Sequence, residues 1–194
     1  MSLRLDLGSG PRPAPGFIGV DIWPEADRPV DLFRFPYPFA DNSAEALRAS
    51  HFVEHLPCRE VEERDIIGLD ISRRDLWKLI GKDFFFAFFD ECWRILEPGG
   101  TMEVIVPATP SDAAFQDPTH RRFIVAETFN YLNKPTREKY RVDHYRVECS
   151  FDVRVVRVLD EALRTVPHAQ LQAICGRERN AIHEFRVTLT KPVS

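Results

Sequence analysis

Three short stretches of this chain gather residues that can do chemistry. In HFVEH, His51, Glu54 and His55 spell H-x-x-E-H, a pattern some zinc peptidases use. FQDPTHRRF (115–123) puts Asp117, His120, Arg121 and Arg122 close together. There a carboxylate or imidazole can orient or deprotonate an acceptor, and a guanidinium can hold an anion. The bland alternative is a turn capped by Asp117 before Pro118, with the rest solvated. The third stretch, LDLGSG, is an apolar run ending in a glycine turn, where Gly8 and Gly10 let backbone approach a ligand closely. FIGVDI (17–22) follows and carries Asp21, which can accept hydrogen bonds from both ribose hydroxyls. Gly8, Gly10 and Asp21 together describe a pocket for an adenosine-type cofactor. The turn is not G-x-G-x-x-G, because Pro13 stands where the third glycine would be.

The elements that must position these groups follow from patterning. LRLDLG (3–8), FIGVDI (17–22), VDLF (30–33) and AEALRAS (44–50) read as four strands, and TMEVIVP (101–107) as a fifth. FFFAFFDECWRILE (84–97) is a helix stopped by Pro98-Gly99-Gly100. AETFNYL (126–132) is expected to be helical, and 159–174, broken by Pro167, to form two short helices. YRVECSFDVRVVRV (145–158) and HEFRVTLT (183–190) alternate as a closing strand pair. The sum is an α/β fold with a mostly parallel Rossmann-like sheet and a C-terminal antiparallel pair.

Four motifs in this order, LDLGSG, GVDIWP, FPYPFADNSAEALRASHFVEHL and FFDECWRILEPGGTMEVIVP, give residues 3–107 a resemblance to class I S-adenosylmethionine (SAM)-dependent methyltransferases. The type-11-like group is nearest. The resemblance implies SAM as cofactor and S-adenosylhomocysteine as product. It implies that Asp6, Gly8, Ser9 and Gly10 hold the methionine end and that Asp21 takes the ribose. Ile22 and Trp23 would pack on the adenine, Asp31 and Leu32 would meet its edge, and Ser50 and His51 would flank the methyl group. His51 is then a candidate base at the end of the fourth strand, beside His120 and Asp117. Glu54 and His55 are read as structural. No metal is expected: a zinc peptidase needs both histidines on one long helix, and Pro57 discourages it.

One departure stands out. Only Ser9 to Pro15 separates Gly8 from Gly16, too short for a helical crossover. Seven extended residues reach roughly 23–25 Å, enough to retrace a five-residue strand. The first two crossover helices are therefore expected to be missing or reduced, and no helix stands before the first strand. The sheet face they would cover is expected to be covered by 159–182, by a homodimer partner, or by both.

The 194 residues, 44% hydrophobic and 29% charged, suit one domain spanning 1–194, with a charged insert at 57–83 as a possible lid packed down by Leu76, Trp77 and Ile80. A net charge of −4 disfavours a general nucleic-acid binder, no run reaches membrane length, and no leader is visible. Four dispersed cysteines fit reduced thiols in a cytoplasm. Residues 121–141 carry six cationic side chains against two acidic ones, either an anion-binding rim or a solvated loop. The expected activity is methyl transfer to an oxygen or nitrogen of a small molecule. The alternatives are a methyltransferase-fold binding module without catalysis and a metallohydrolase built on HFVEH.

Overall fold

A computed structural model describes residues 2–67, 73–163 and 165–193. One seven-stranded sheet runs through the chain in the order β3-β2-β1-β4-β5-β7-β6. Its strands are β1 (Leu3–Leu7), β2 (Ile18–Asp21), β3 (Arg28–Pro29), β4 (Ala44–Ser50), β5 (Leu96–Pro107), β6 (Asp152–Leu159) and β7 (Ile182–Thr190). The first five are parallel, and β7 inserts antiparallel between β5 and β6. The helices are α1 (Arg73–Leu79), α2 (Phe84–Ile95), α3 (Ala113–Gln116), α4 (Lys134–Tyr140) and α5 (His168–Cys175). Residues 126–132 form a 3-10 helix, and a 3-10 turn at Glu161–Leu163 precedes α5.

The two faces of the sheet differ. Leu5, Leu47, Met102 and Leu189 align in register across one face, and all are fully buried with the phenylalanines of α2. Asp83 starts α2 by accepting the Phe85 N–H, and Pro98-Gly99-Gly100 lies within β5 just after it. Arg94, on the last turn of α2, donates to the Tyr37 and Phe39 carbonyls and pairs with Asp41. Two of the sequence motifs therefore hold each other.

On the opposite face no helix lies between β1 and β2 or between β2 and β3. The 9–16 segment is a strap instead. Asp6, buried, accepts the Ala14 N–H at 2.8 Å, and a Cβ at Gly19 would stand 2.8 Å from Ser9 Oγ. Beyond the strap this face is charged. Asp6 pairs with Arg48 at 3.1 Å, Arg48 with Glu103 at 3.3 Å, and the same register row runs on through Thr188 to Arg154. The face expected to need another cover is largely polar.

Four sequence expectations shift, the first being that β5 begins at Leu96 rather than 101 and takes in Pro98-Gly99-Gly100. The third strand lies at Arg28–Pro29, not 30–33, because the Asp31 carboxylate accepts the Phe33 N–H and turns the chain. Residues 145–151 do not join β6: Arg137 takes the Val147 and Cys149 carbonyls, and Asp90 takes the Glu148 and Cys149 N–H groups. In the insert, α1 is held by buried Leu79, while Trp77 is 77% exposed.

Candidate functional site

The carboxyl ends of β1 and β2 form an open shelf. Gly8 and Gly10 both adopt the left-handed conformation, with φ of 72° and 55°. Their surroundings differ. A Cβ on Gly8 would fall 2.2 Å from the Phe52 ring, whereas one on Gly10 would meet nothing within 4 Å. Gly8 thus admits Phe52, and Gly10 borders open space. The Asp21 carboxylate accepts the Gly10 N–H at 2.8 Å and the Trp23 N–H at 3.0 Å, so it fixes the glycine turn and still has lone pairs free. Ile22 is 69% exposed and Trp23 49% exposed, forming an apolar wall beside it. Phe33 stacks on Phe52 at 5.9 Å.

The other predicted positions divide. Ser9 turns its hydroxyl to the Gly10 carbonyl at 3.0 Å. Leu32 is buried, and Asp31 holds its own turn. Ser50 ends β4, half-buried. Asp6 holds the strap, so its carboxylate is engaged on the charged face.

At the end of β4, His51 takes a left-handed φ of 53°, uncommon for a residue with a side chain. This turns the chain so that HFVEH forms a 3-10 turn at Val53–His55 rather than a long helix. His51 Nδ1 lies 3.4 Å from Glu54 Oε1 and Nε2 lies 3.2 Å from Glu184 Oε1. The Glu54 contact, with help from Glu184, raises the His51 pKa against the opposing effect of burial.

The second predicted stretch folds onto the first. The Glu54 carbonyl accepts the Arg121 and Arg122 N–H groups at 2.8 and 2.9 Å. His120 Nε2 comes to 3.9 Å from Glu54 Oε1 and 4.0 Å from Asp117 Oδ2. The His55 and His120 rings meet edge to face at 4.8 Å. His51, His120 and Asp117, separate in sequence, therefore share one rim together with Glu54 and His55.

Beside this rim lies a cleft of about 870 Å³ between the 57–83 insert and residues 121–146. Phe85, Phe86, Phe123, Tyr131 and Tyr145 give it an apolar body, and Arg59, Arg121, Arg122 and Arg146 line it with cations. Most of those cations are engaged. Arg59 pairs with Asp65, Arg122 with Asp83, and Arg146 donates to the Trp77 and Ile80 carbonyls. Among the described residues, the Arg121 side chain makes one hydrogen bond, at 3.5 Å to the Pro118 carbonyl. Arg137, part of the basic run, is buried and binds backbone.

Known structures share this architecture. The chain superposes on a SAM-dependent methyltransferase from Archaeoglobus fulgidus with a TM-score of 0.56 at 17% identity, over 98% of this chain and 86% of that one. The YcgJ protein of Bacillus subtilis gives 0.51 at 10% identity, over 100% and 93%. This is the class I SAM-dependent methyltransferase fold. No protein-family model matches the sequence, and no curated protein matches it significantly. Within the methyltransferase fold, the glycine turn and Asp21 stand at the carboxyl ends of adjacent parallel strands, where such sheets receive ligands.

Sequence reasoning set aside Glu54 and His55 and did not find Phe52, Phe33 or Glu184. The H-x-x-E-H spacing was the visible signal for the first two. Nothing in the sequence ties Phe52 to Gly8 or Glu184 to His51, because those contacts arise from strand order.

Proposed function

We propose that this protein transfers a methyl group from SAM to an oxygen or nitrogen of a small anionic acceptor held in the cleft. The observation that carries the reading is the adjacency of two half-sites: the Gly10–Asp21 shelf on one side of the 51–55 turn and the cationic, aromatic cleft on the other. SAM lies along the shelf with its ribose on Asp21 and its adenine against Ile22 and Trp23. The acceptor's lone pair attacks the methyl carbon in line, the carbon–sulfur bond breaks, and S-adenosylhomocysteine leaves. The acceptor proton passes to His51 or to water. Positioning supplies most of the acceleration, because the sulfonium is already a good leaving group.

The test is S-adenosylhomocysteine release from SAM across a panel of aromatic carboxylates, phosphates and their neutral analogues. Anionic members should be turned over preferentially, and Arg121→Ala should raise KM for them by about tenfold with little effect on neutral analogues. Turnover of neutral compounds alone would contradict the acceptor class.

A second reading, a binding module without catalysis, is favoured by one observation: no helix lies between β1 and β2 or between β2 and β3, where the crossover helices of the fold would stand. It predicts nucleoside binding with no S-adenosylhomocysteine release from any panel member.

A further inference from the structure

We infer that Glu54, His55 and His120 form a binding site for one divalent transition-metal ion of the zinc class. One ligand atom from each lies within 4.8 Å of the other two. The HFVEH spacing does not supply this set as it would in a peptidase, since His51 is not a member. The third donor comes from the 115–123 stretch, clamped onto the turn by the Glu54 carbonyl.

The independent observation is the Glu54 carboxylate itself. Glu54 is 1% exposed, and among the described residues neither of its oxygens has a hydrogen-bond partner. A buried carboxylate whose nearest partners are imidazoles at 3.4 and 3.9 Å, with no hydrogen bond to either oxygen, is costly to hold, and a metal cation offsets that cost. His51 does not suffice. Its 3.4 Å approach to Oε1 falls outside hydrogen-bond geometry, it is half exposed, and its other nitrogen faces Glu184.

Hydrogen bonding also assigns the imidazole protons. His120 Nδ1 meets the Ala114 carbonyl at 2.9 Å, and a carbonyl only accepts, so Nδ1 carries the proton. Thr119 Oγ1 gives its single proton to Asp117 Oδ1 at 2.6 Å, so it accepts from His55 Nδ1 at 3.1 Å. In the neutral imidazole this tautomer leaves the lone pair on Nε2 of both histidines. An imidazole N–H anchored to a carbonyl, or through a hydroxyl to a carboxylate, with the other nitrogen free, is the outer-shell pattern of metal-ligating histidines. Two imidazoles and one carboxylate suit zinc, and three protein ligands leave a fourth position open. Tetrahedral zinc places its donors roughly 3.3 Å apart. The 3.9 Å from His120 Nε2 to Glu54 Oε1 closes to that by small side-chain rotations.

The experiment is a cobalt(II) absorbance titration of chelator-stripped full chain, followed by displacement with zinc, with circular dichroism confirming the fold. One cobalt per chain is expected, with the strong visible bands of a four- or five-coordinate ion. His120→Ala and Glu54→Gln should each weaken binding at least about tenfold, and His51→Ala should not. If Glu54→Gln fails to fold, His55→Ala and His120→Ala decide. Cobalt bound only with weak octahedral bands, no binding at millimolar cobalt, or wild-type affinity in His55→Ala and His120→Ala would overturn the site. No SAM is present in the titration, so failure leaves the methyl-transfer reading standing.

Discussion

Gly8 and Gly10 show how far residue types alone can be taken. Both were legible as positions needing glycine, and both have positive φ. Their separate roles were not legible, because Phe52, which fills the space above Gly8, arrives from the far end of another strand. The difference is measurable. Gly8→Ala adds a Cβ 2.2 Å from that ring at a left-handed φ and should cost about 3 kcal/mol or more in urea denaturation, combining overpacking with backbone strain. Gly10→Ala carries the strain alone and should cost about 1–2 kcal/mol. Equal losses would contradict the packing. Asp21 was read correctly as an acid at the end of β2, but its grip on the Gly10 and Trp23 N–H groups comes only from the fold.

At the scale of elements, β4 and α2 were recovered closely because alternation, helical length and a Pro-Gly-Gly stop leave little choice. Two of the misplaced boundaries have one cause: side chains taking backbone hydrogen bonds. Asp31 ends the third strand early, and Arg137 with Asp90 keeps 147–149 out of β6. No hydropathy pattern records such bonds. Asp90 also forms a buried pair with Lys82 beside α2, so Lys82→Ala should destabilise by about 3–5 kcal/mol in chemical denaturation. The insert is tied by Arg59 and Asp65 at 2.6 Å, and that hydrogen bond lowers the Asp65 pKa. Its contribution is complete above the ordinary carboxylate value of about 3.9 and is lost as pH falls through the lowered one. Asp65→Asn should therefore flatten the acid limb of the stability curve below about pH 4 while costing stability at neutral pH. An unchanged acid limb would remove the pair from the account.

Across the whole molecule, the missing crossover helices were legible from a count of residues between two glycines. How the exposed face copes was not. The strap covers β1 and β2, and the Asp6–Arg48–Glu103 row with Arg154 makes much of the remainder of that face hydrophilic, with Ile105 and Val156 one row further along. The expectation of a homodimer rested on a sheet face left bare by the missing helices. A partner docked on this one would have to desolvate Arg48, Glu103 and Arg154. We predict the mass of one chain in sedimentation at micromolar concentration, and a stable dimer at high salt would contradict it. Among the described residues no helix is long and apolar enough to cross a membrane.

The central claim is that SAM occupies the Gly10–Asp21 shelf, and calorimetric titration of wild type and Asp21→Ala with SAM tests it most directly. The account predicts micromolar binding to wild type. It predicts a loss of about tenfold or more in the variant, the worth of about 1.5–3 kcal/mol of charged hydrogen bonding to the ribose. Equal affinity in the two proteins, or no binding by a folded wild type at millimolar SAM, would contradict it.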